Sequence, residues 1–177
     1  MHKGIFNSVT AFLMVVLTMC KMGLAQDSST KQLEAVIDEV STFKLYDYLD
    51  YPLGRHQAEL EKKHADFALA QLKVLEQIAI SGLTETEQIS YELLRFRLQN
   101  RVDEYKYEMY LNPIQADQGF HLNLNYRIKP ILSYQDAKRY LNLLNAVPEF
   151  VREHLVLIRE GIKKEISLPQ VIFKGYE

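Results

Sequence analysis

The sequence is poor in cysteine and glycine, and both shortages narrow the classes of protein that it can encode. Its single cysteine, Cys20, lies in an apolar N-terminal run, so the rest of the chain cannot be a disulfide scaffold. The seven glycines are scattered singly, without the Gly-x-Gly or Walker spacing of a phosphate-binding loop. No Gly-x-Ser-x-Gly sequence is present. The chain therefore carries no motif for phosphate binding or for a serine or cysteine nucleophile.

The sequence also lacks an apolar run long enough to span a membrane. The longest run covers residues 9–20, whereas a transmembrane helix needs about 20 residues. A run of this length suits the apolar core of a signal peptide, and Gly23-Leu24-Ala25 has the small-x-small pattern of a cleavage site. We therefore predict a signal peptide over residues 1–25, cleaved between Ala25 and Gln26. An uncleaved anchor is disfavoured because Lys21 interrupts the apolar run.

Cys20 offers an alternative fate for the N-terminus. It ends the sequence Leu-Thr-Met-Cys, which resembles a lipoprotein signal box. Such a box has a small residue before the cysteine, and Met19 is not small. We therefore favour ordinary cleavage and a periplasmic or secreted protein over lipidation at Cys20 and attachment to the outer membrane. After cleavage no stable transmembrane span is expected.

A strong charge of either sign is absent as well. The net charge is −2, and removal of residues 1–25, which carry Lys3 and Lys21 and no acids, changes it to −4. A mildly acidic surface argues against a nucleic acid partner and against general affinity for anionic lipids.

Most of the remaining chain has apolar residues at helical spacing. After a polar tether over residues 26–31, helices are predicted over residues 32–48, 56–80, 85–110, 133–145 and from Pro148 to about residue 162. Two N-termini carry cap signals, Thr84 with Glu87 and Ser133 with Asp136, and Pro148 suits a first helical turn. The fold class predicted for residues 32–177 is all-α, an antiparallel unit of about five helices.

Each helix carries an apolar stripe that should face the core. For the third helix the predicted buried set is Ile89, Leu93, Phe96, Val102, Tyr105 and Met109. For the helix after Pro148 it is Phe150, Val151, Leu155, Ile158 and Ile162.

A long stretch without helical rhythm lies around Gly119. Residues 120–125 alternate apolar and polar side chains, which is compatible with a short strand. Uncharged polar groups beside an aromatic ring, with Gln118, Phe120 and His121 as the candidates, would suit a peptide or sugar-like ligand. The preferred interpretation is a packed connector whose amides satisfy its own backbone; a ligand-binding surface is the alternative.

Metal-binding patterns are missing. No His-Glu-x-x-His sequence occurs, and Glu61-x-x-His64, which has the spacing used in di-iron bundles, occurs once where such a site needs two. We therefore assign no catalytic residue, no metal ligand and no cofactor to this chain, and read His64 as a hydrogen-bonded member of an apolar stripe.

Three stretches carry a family resemblance. They begin LTETEQISYELLRF, LNPIQADQGFHLNLN and SYQDAKRYLNLLNAVPEF, and the strongest part runs from Tyr140 to Pro169. They resemble the N-terminal portion of the bacterial domain of unknown function 885 family. Its members are typically exported, and several are described as lipoproteins. They are much longer than this chain and resemble α-helical zinc metallopeptidases with a His-Glu-x-x-x-Gly-His-His-like motif in the C-terminal half. That motif is absent here, so no catalytic or zinc-binding role passes to any residue of this chain.

Two functions are compatible with this resemblance. The leading one is the N-terminal lobe of a metal-dependent, peptidase-like hydrolase, inactive alone because its catalytic half is missing; that C-terminal part of the same protein would be its partner. On this interpretation the segment after Pro169 starts a helix that the chain does not complete. The alternative is a self-contained exported helical module for binding or structure, with the Gly119 loop as its ligand surface. The resemblance leaves open whether the chain is enzymatic.

Overall fold

A computed structural model describes residues 28–114, 119–122, 124 and 129–173 of the chain. These residues contain four α-helices: α1 over 28–42, α2 over Ala58–Leu75, α3 over Glu85–Lys106 and α4 over Tyr134–Lys163. Short 3-10 turns lie at Ile80–Gly82, Met109–Leu111 and Gln170–Phe173. The described ranges contain no β-strand, and their one extended pairing is an isolated bridge between Ile114 and Gly119. The all-α class is confirmed.

The described residues divide into two compact units, one with residues 28–43 and 69–99 and the other with the described residues of 44–68 and 100–173. Helices α2 and α3 each contribute to both. In the first unit the buried side chains come from α1, α2, α3 and the turn between the last two; among them are Leu33, Val36, Leu72, Leu75, Ile78, Leu83, Tyr91, Leu94 and Leu98. Leu75 is fully buried.

Helix α3 begins at the predicted capping box. The backbone N–H of Thr84 donates to the Glu87 carboxylate over 2.7 Å, and the Glu87 N–H donates back to the Thr84 hydroxyl over 3.4 Å. Each side chain thus satisfies a backbone donor that the first helical turn leaves without a partner.

The predicted buried face of α3 is wrong: Val102 and Tyr105 are only half-buried, and Met109, beyond the end of the helix, is 52% exposed. Ile89, Leu93 and Phe96 are 62%, 60% and 63% exposed, whereas Tyr91, Leu94 and Leu98 are buried. Both sets have helical spacing, because α3 carries apolar residues on more than one face. Periodicity alone could not decide which of these faces turns inward.

The fourth and fifth predicted helices are one continuous helix, α4, with Pro148 inside it. The prediction of a break rested on the missing N–H of proline, which removes the hydrogen bond to the carbonyl four residues earlier. Pro148 and Leu144 are both exposed, so the missing bond falls on the solvent side of the helix. The buried residues of α4 also differ from the predicted stripe: Phe150 is buried as expected, but Leu155 and Ile162 are exposed, and Glu153, His154, Leu157 and Gly161 are buried instead.

Several helix ends also differ from the prediction. Helix α1 includes residues 28–31, which the sequence predicts to be part of a tether, and it ends at residue 42 rather than at residue 48. Helix α3 ends at Lys106 because Glu108 adopts a left-handed backbone conformation, with φ of 53°. Phe120 and His121 form a turn rather than the start of a strand.

Helix α4 approaches the turn at Met109–Leu111 closely. A Cβ atom placed on Gly161 would lie 2.5 Å from the carbonyl oxygen of Leu111. A residue without a side chain is therefore needed where α4 meets this backbone.

The predictions for the N-terminus concern residues outside the described ranges. The cleavage site between Ala25 and Gln26 and the alternative lipidation of Cys20 both fall before residue 28. No helix within the described ranges is both long and apolar enough to cross a membrane, which is consistent with the expected lack of a stable span.

Candidate ligand-binding site

The site is built around a buried carboxylate on α4. Glu153 is 3% exposed and accepts three hydrogen bonds from consecutive residues: from Nε of Arg55 over 2.7 Å, from the backbone N–H of His56 over 2.7 Å, and from Nε2 of Gln57 over 2.8 Å. A buried carboxylate is tolerated only when it is paired and hydrogen-bonded in this way. Glu153 therefore fixes the segment that precedes α2 against α4.

The position of this carboxylate at the start of a helix adds to its stabilisation. The α2 helix begins at Ala58, and the carbonyl of Gln57 accepts the first helical hydrogen bonds. Negative charge is favoured near a helix N-terminus. The hydrogen bond to Glu153 in turn raises the pKa of Arg55, whose guanidinium also lies 4.7 Å from the ring centroid of Tyr51.

A cluster of four rings lies next to Glu153. The centroid of the His154 ring is 4.1 Å from that of His56, 4.3 Å from that of Phe120 and 4.4 Å from that of Phe150. The Phe120 and His154 rings are stacked, with 16° between their planes. Because Glu153 holds the backbone of His56 and α4 carries His154, one helix positions both histidines.

His154 is neutral at neutral pH and its tautomer follows from its hydrogen bond. Its Nδ1 lies 2.8 Å from the carbonyl oxygen of Phe150, and a carbonyl oxygen can only accept, so Nδ1 carries the proton and Nε2 is an acceptor. Burial lowers the pKa of His154 to about 4, the carbonyl of Phe150 opposes this change, and the nearby His56 adds to it.

These rings border a cavity of about 440 Å³ within the second unit. Its walls come from the segment before α2, from α2, from the end of α3 with the turn that follows, from the Gly119 loop and from α4. The lining residues are His56, Glu61, Arg101, Glu104, Met109, Tyr110, Asn112, Pro113, Gly119, Phe120, His154 and Leu157.

One wall of the cavity is charged. Nη1 of Arg101 lies 2.7 Å from a carboxylate oxygen of Glu104 and 3.7 Å from one of Glu61. Burial raises the pKa of Glu61, and the Arg101 guanidinium acts in the opposite direction. Two carboxylates thus share one guanidinium, which leaves this wall with a surplus of negative charge when both are ionised.

The residues singled out in the Gly119 loop have different positions. Phe120 lines the cavity and stacks on His154. His121 is exposed and meets the edge of Phe120 at a centroid distance of 5.8 Å. Gln118 lies outside the described residues. The proposed ligand contact of these three residues stays a prediction.

Sequence reasoning missed Glu153, Arg55 and His154. Arg55 and Glu153 are 98 residues apart, and no local pattern links residues at such a distance. A signal was available on α4, where Glu153 and His154 interrupt the apolar series between Phe150 and Leu157. Two polar residues at core positions of a helix indicate a buried polar network.

Metal ligands are not grouped in the described ranges, where no set of three His, Cys, Asp or Glu side chains could hold an ion. Glu61 pairs with Arg101, and burial together with Arg101 lowers the pKa of His64.

Comparison with protein families identifies a relative of this chain, whereas comparison with individual proteins does not. The chain matches no curated protein and no solved structure. The family model described as "Bacterial protein of unknown function (DUF885)" matches residues 41–176, a segment that includes every residue lining the cavity. A match over this much of the chain shows that the protein belongs to the DUF885 family of bacterial proteins of unknown function.

Proposed function

We propose that this chain is the ligand-binding N-terminal lobe of an exported, metal-dependent hydrolase that acts on peptides. The observation that carries the proposal is the cavity beside His154, whose walls are held in place by the buried Glu153. Preformed cavities of about 300–1,000 Å³ with a few convergent polar groups are the usual form of small-ligand sites. The lobe would bind part of the substrate, and the metal and catalytic groups would belong to further polypeptide of the same protein.

The exposed apolar row on α3 supports a role as one part of a larger protein. Ile89, Leu93 and Phe96 follow one another at helical spacing, and each is at least 60% exposed. An amphipathic helix gains most of its stability when such a row is buried. We propose that further chain of the same protein covers this row, and that the 177-residue chain alone is inactive.

The test of the hydrolase proposal compares this chain with a longer product of the same gene. We expect the longer protein to bind a stoichiometric metal ion, measured by elemental analysis, and to cleave peptides, whereas this chain does neither. A longer protein that is fully folded, free of metal and without peptidase activity would refute the proposal.

The second candidate is a self-contained exported binding module. It is favoured by one observation: all residues that line the cavity belong to a single compact unit. A module of this kind should unfold cooperatively and bind little hydrophobic dye. Strong dye binding that falls in a Phe96→Glu variant, but not in an Arg97→Glu control on the same helix, would support the lobe instead.

A further inference from the structure

Three side chains that line the cavity, those of Glu61, Glu104 and His154, offer hydrogen-bond acceptors, and the guanidinium of Arg101 beside them only donates. The carboxylates of Glu61 and Glu104 only accept when ionised. The Nε2 atom of His154 is also an acceptor, because its Nδ1 donates to the Phe150 carbonyl. His154 lines the cavity and is 5% exposed. The cavity therefore offers acceptors to a ligand that brings donors.

The charge of the cavity favours the same kind of ligand. The single guanidinium of Arg101 stands between Glu104 and Glu61, so it balances one of the two carboxylates. A cation would balance the second, whereas an anion would meet like charge in a partly buried site. The surplus charge thus selects against anionic ligands as well as for cationic ones.

Aromatic rings complete the site. Phe120 and Tyr110 both line the cavity, and Tyr110 is stacked on Tyr105 with a centroid distance of 5.6 Å. The face of an aromatic ring attracts an ammonium or guanidinium group. One face of each ring is already stacked, that of Phe120 on His154 and that of Tyr110 on Tyr105, so a cation would meet the opposite face or the edge of the ring.

We propose that this cavity binds a cation rich in N–H donors, namely an ammonium or guanidinium group such as the side chain of a lysine or arginine in a peptide. The carboxylates of Glu61 and Glu104 bind the charge, Nε2 of His154 accepts an N–H, and the rings of Phe120 and Tyr110 contact the cation. The inference deepens the proposed function, on whose binding role it rests, by naming the chemical class of the ligand.

Isothermal titration calorimetry on the purified full chain tests this assignment. The probes are N-acetyl-arginine methylamide, its lysine counterpart, and the citrulline analogue, which is a neutral isostere of arginine. We expect a cationic probe to bind at least about tenfold more tightly than citrulline. Measurable binding of the arginine and citrulline probes with equal affinity, or no heat from the arginine probe, the lysine probe or spermidine at millimolar concentration, would overturn the assignment.

Spermidine separates the two sources of such a cation. If spermidine binds and the capped amino acids do not, the cation is a free polyamine; if the capped arginine or lysine binds better, it is a peptide side chain. Both results support the assigned chemistry.

Two variants locate the binding within the cavity. Glu104→Gln and Glu61→Gln each remove the surplus negative charge. Each substitution should therefore lower the affinity for the cationic probe by about fivefold or more. The matched control is Glu92→Gln. This substitution breaks an ion pair with Arg95 on the same helix as Glu104, but outside the cavity. The Glu92→Gln variant should bind the cationic probe with the affinity of the unmodified chain. Glu104 is 45% exposed, so its variant should fold even if Glu61→Gln does not. Unchanged affinity in Glu104→Gln would overturn the assignment.

The binding experiment is independent of catalysis. A chain that fails to bind cations would refute this inference and leave the metal content and peptidase activity of the longer protein to be judged separately. A longer protein without metal would refute the hydrolase proposal and leave the cation site standing.

Discussion

Burial of His154 makes the stability of its unit depend on pH. The pKa of this histidine is 6.5 when it is solvated and about 4 in the folded chain. As the pH falls from 6.5 to 4, the unfolded chain binds a proton at this position and the folded chain does not, so acidification favours unfolding. Neutral His154 therefore adds on the order of 3 kcal/mol to the free energy of unfolding. This stabilisation is fully present above pH 6.5 and is lost by about pH 4.

A His154→Gln variant should therefore lose less stability on acidification than the unmodified chain. The measurement is the free energy of unfolding in urea at pH 7 and at pH 4.5, because the difference between the two pH values isolates the titrating groups. A His121→Gln variant is the control, since that histidine is exposed. The assignment fails if both variants show the pH dependence of the unmodified chain.

The hydrogen bonds that Glu153 accepts from residues distant in sequence should contribute strongly to stability. A Glu153→Ala substitution would leave the Nε donor of Arg55, the N–H of His56 and the amide of Gln57 without their acceptor. Removal of one partner of a buried ion pair costs about 3–5 kcal/mol. We expect a loss of this size in chemical denaturation and a smaller one for Glu153→Gln, whose amide oxygen still accepts.

A control for this prediction lies on the same helix. Glu160 makes an exposed ion pair with Lys163, and Glu160→Gln should leave the unfolding transition unchanged within error. Equal stabilities of Glu153→Ala and Glu160→Gln would contradict the role assigned to Glu153.

At the scale of the elements, the sequence predicted what is local and missed what depends on packing. The caps Thr84–Glu87 and Ser133–Asp136 were predictable because each needs only residues three apart. The inward face of α3 was not, because apolar residues lie on more than one of its faces. The cavity was half predictable: the loop near Gly119 was identified as unusual, but the pairing of this loop with His154 depends on the course of the chain in space.

Pro148 provides a test at this scale. In a continuous α4 helix, proline removes one hydrogen bond and costs up to about 3 kcal/mol relative to alanine. Pro148→Ala should therefore raise the free energy of unfolding by about 1–3 kcal/mol, because Pro148 is exposed and its replacement disturbs no buried contact.

The control for Pro148→Ala is Asn145→Ala, at another exposed position of α4. It measures helix propensity alone and should gain only a few tenths of a kcal/mol. If Pro148→Ala gains no more than Asn145→Ala, or loses stability, the chain breaks at residue 148, as the two separate sequence patterns had predicted.

At the scale of the whole molecule, the family match and the chemistry of the cavity give different information about the protein. The family match extends over residues 41–176 and therefore includes parts of both compact units. Neither composition nor periodicity could have supplied the family, because a family is recognised from particular residues along the chain. Conversely, the family carries no known function, so the chemistry of the cavity has to be argued from its own carboxylates and rings.

We predict that the protein is exported and that its signal peptide is removed. The apolar run over residues 9–20 is too short to span a bilayer, and a small-x-small site follows it, so a signal peptidase should cleave after Ala25. Mass spectrometry of the protein expressed in a bacterial host should find Gln26 at the N-terminus and the protein in the periplasm or the medium. A Cys20→Ser variant is the control, because it should be processed identically if lipidation has no role. An N-terminal diacylglyceryl-cysteine at position 20 would contradict this prediction, and it would place the cavity at a membrane surface rather than free in the periplasm.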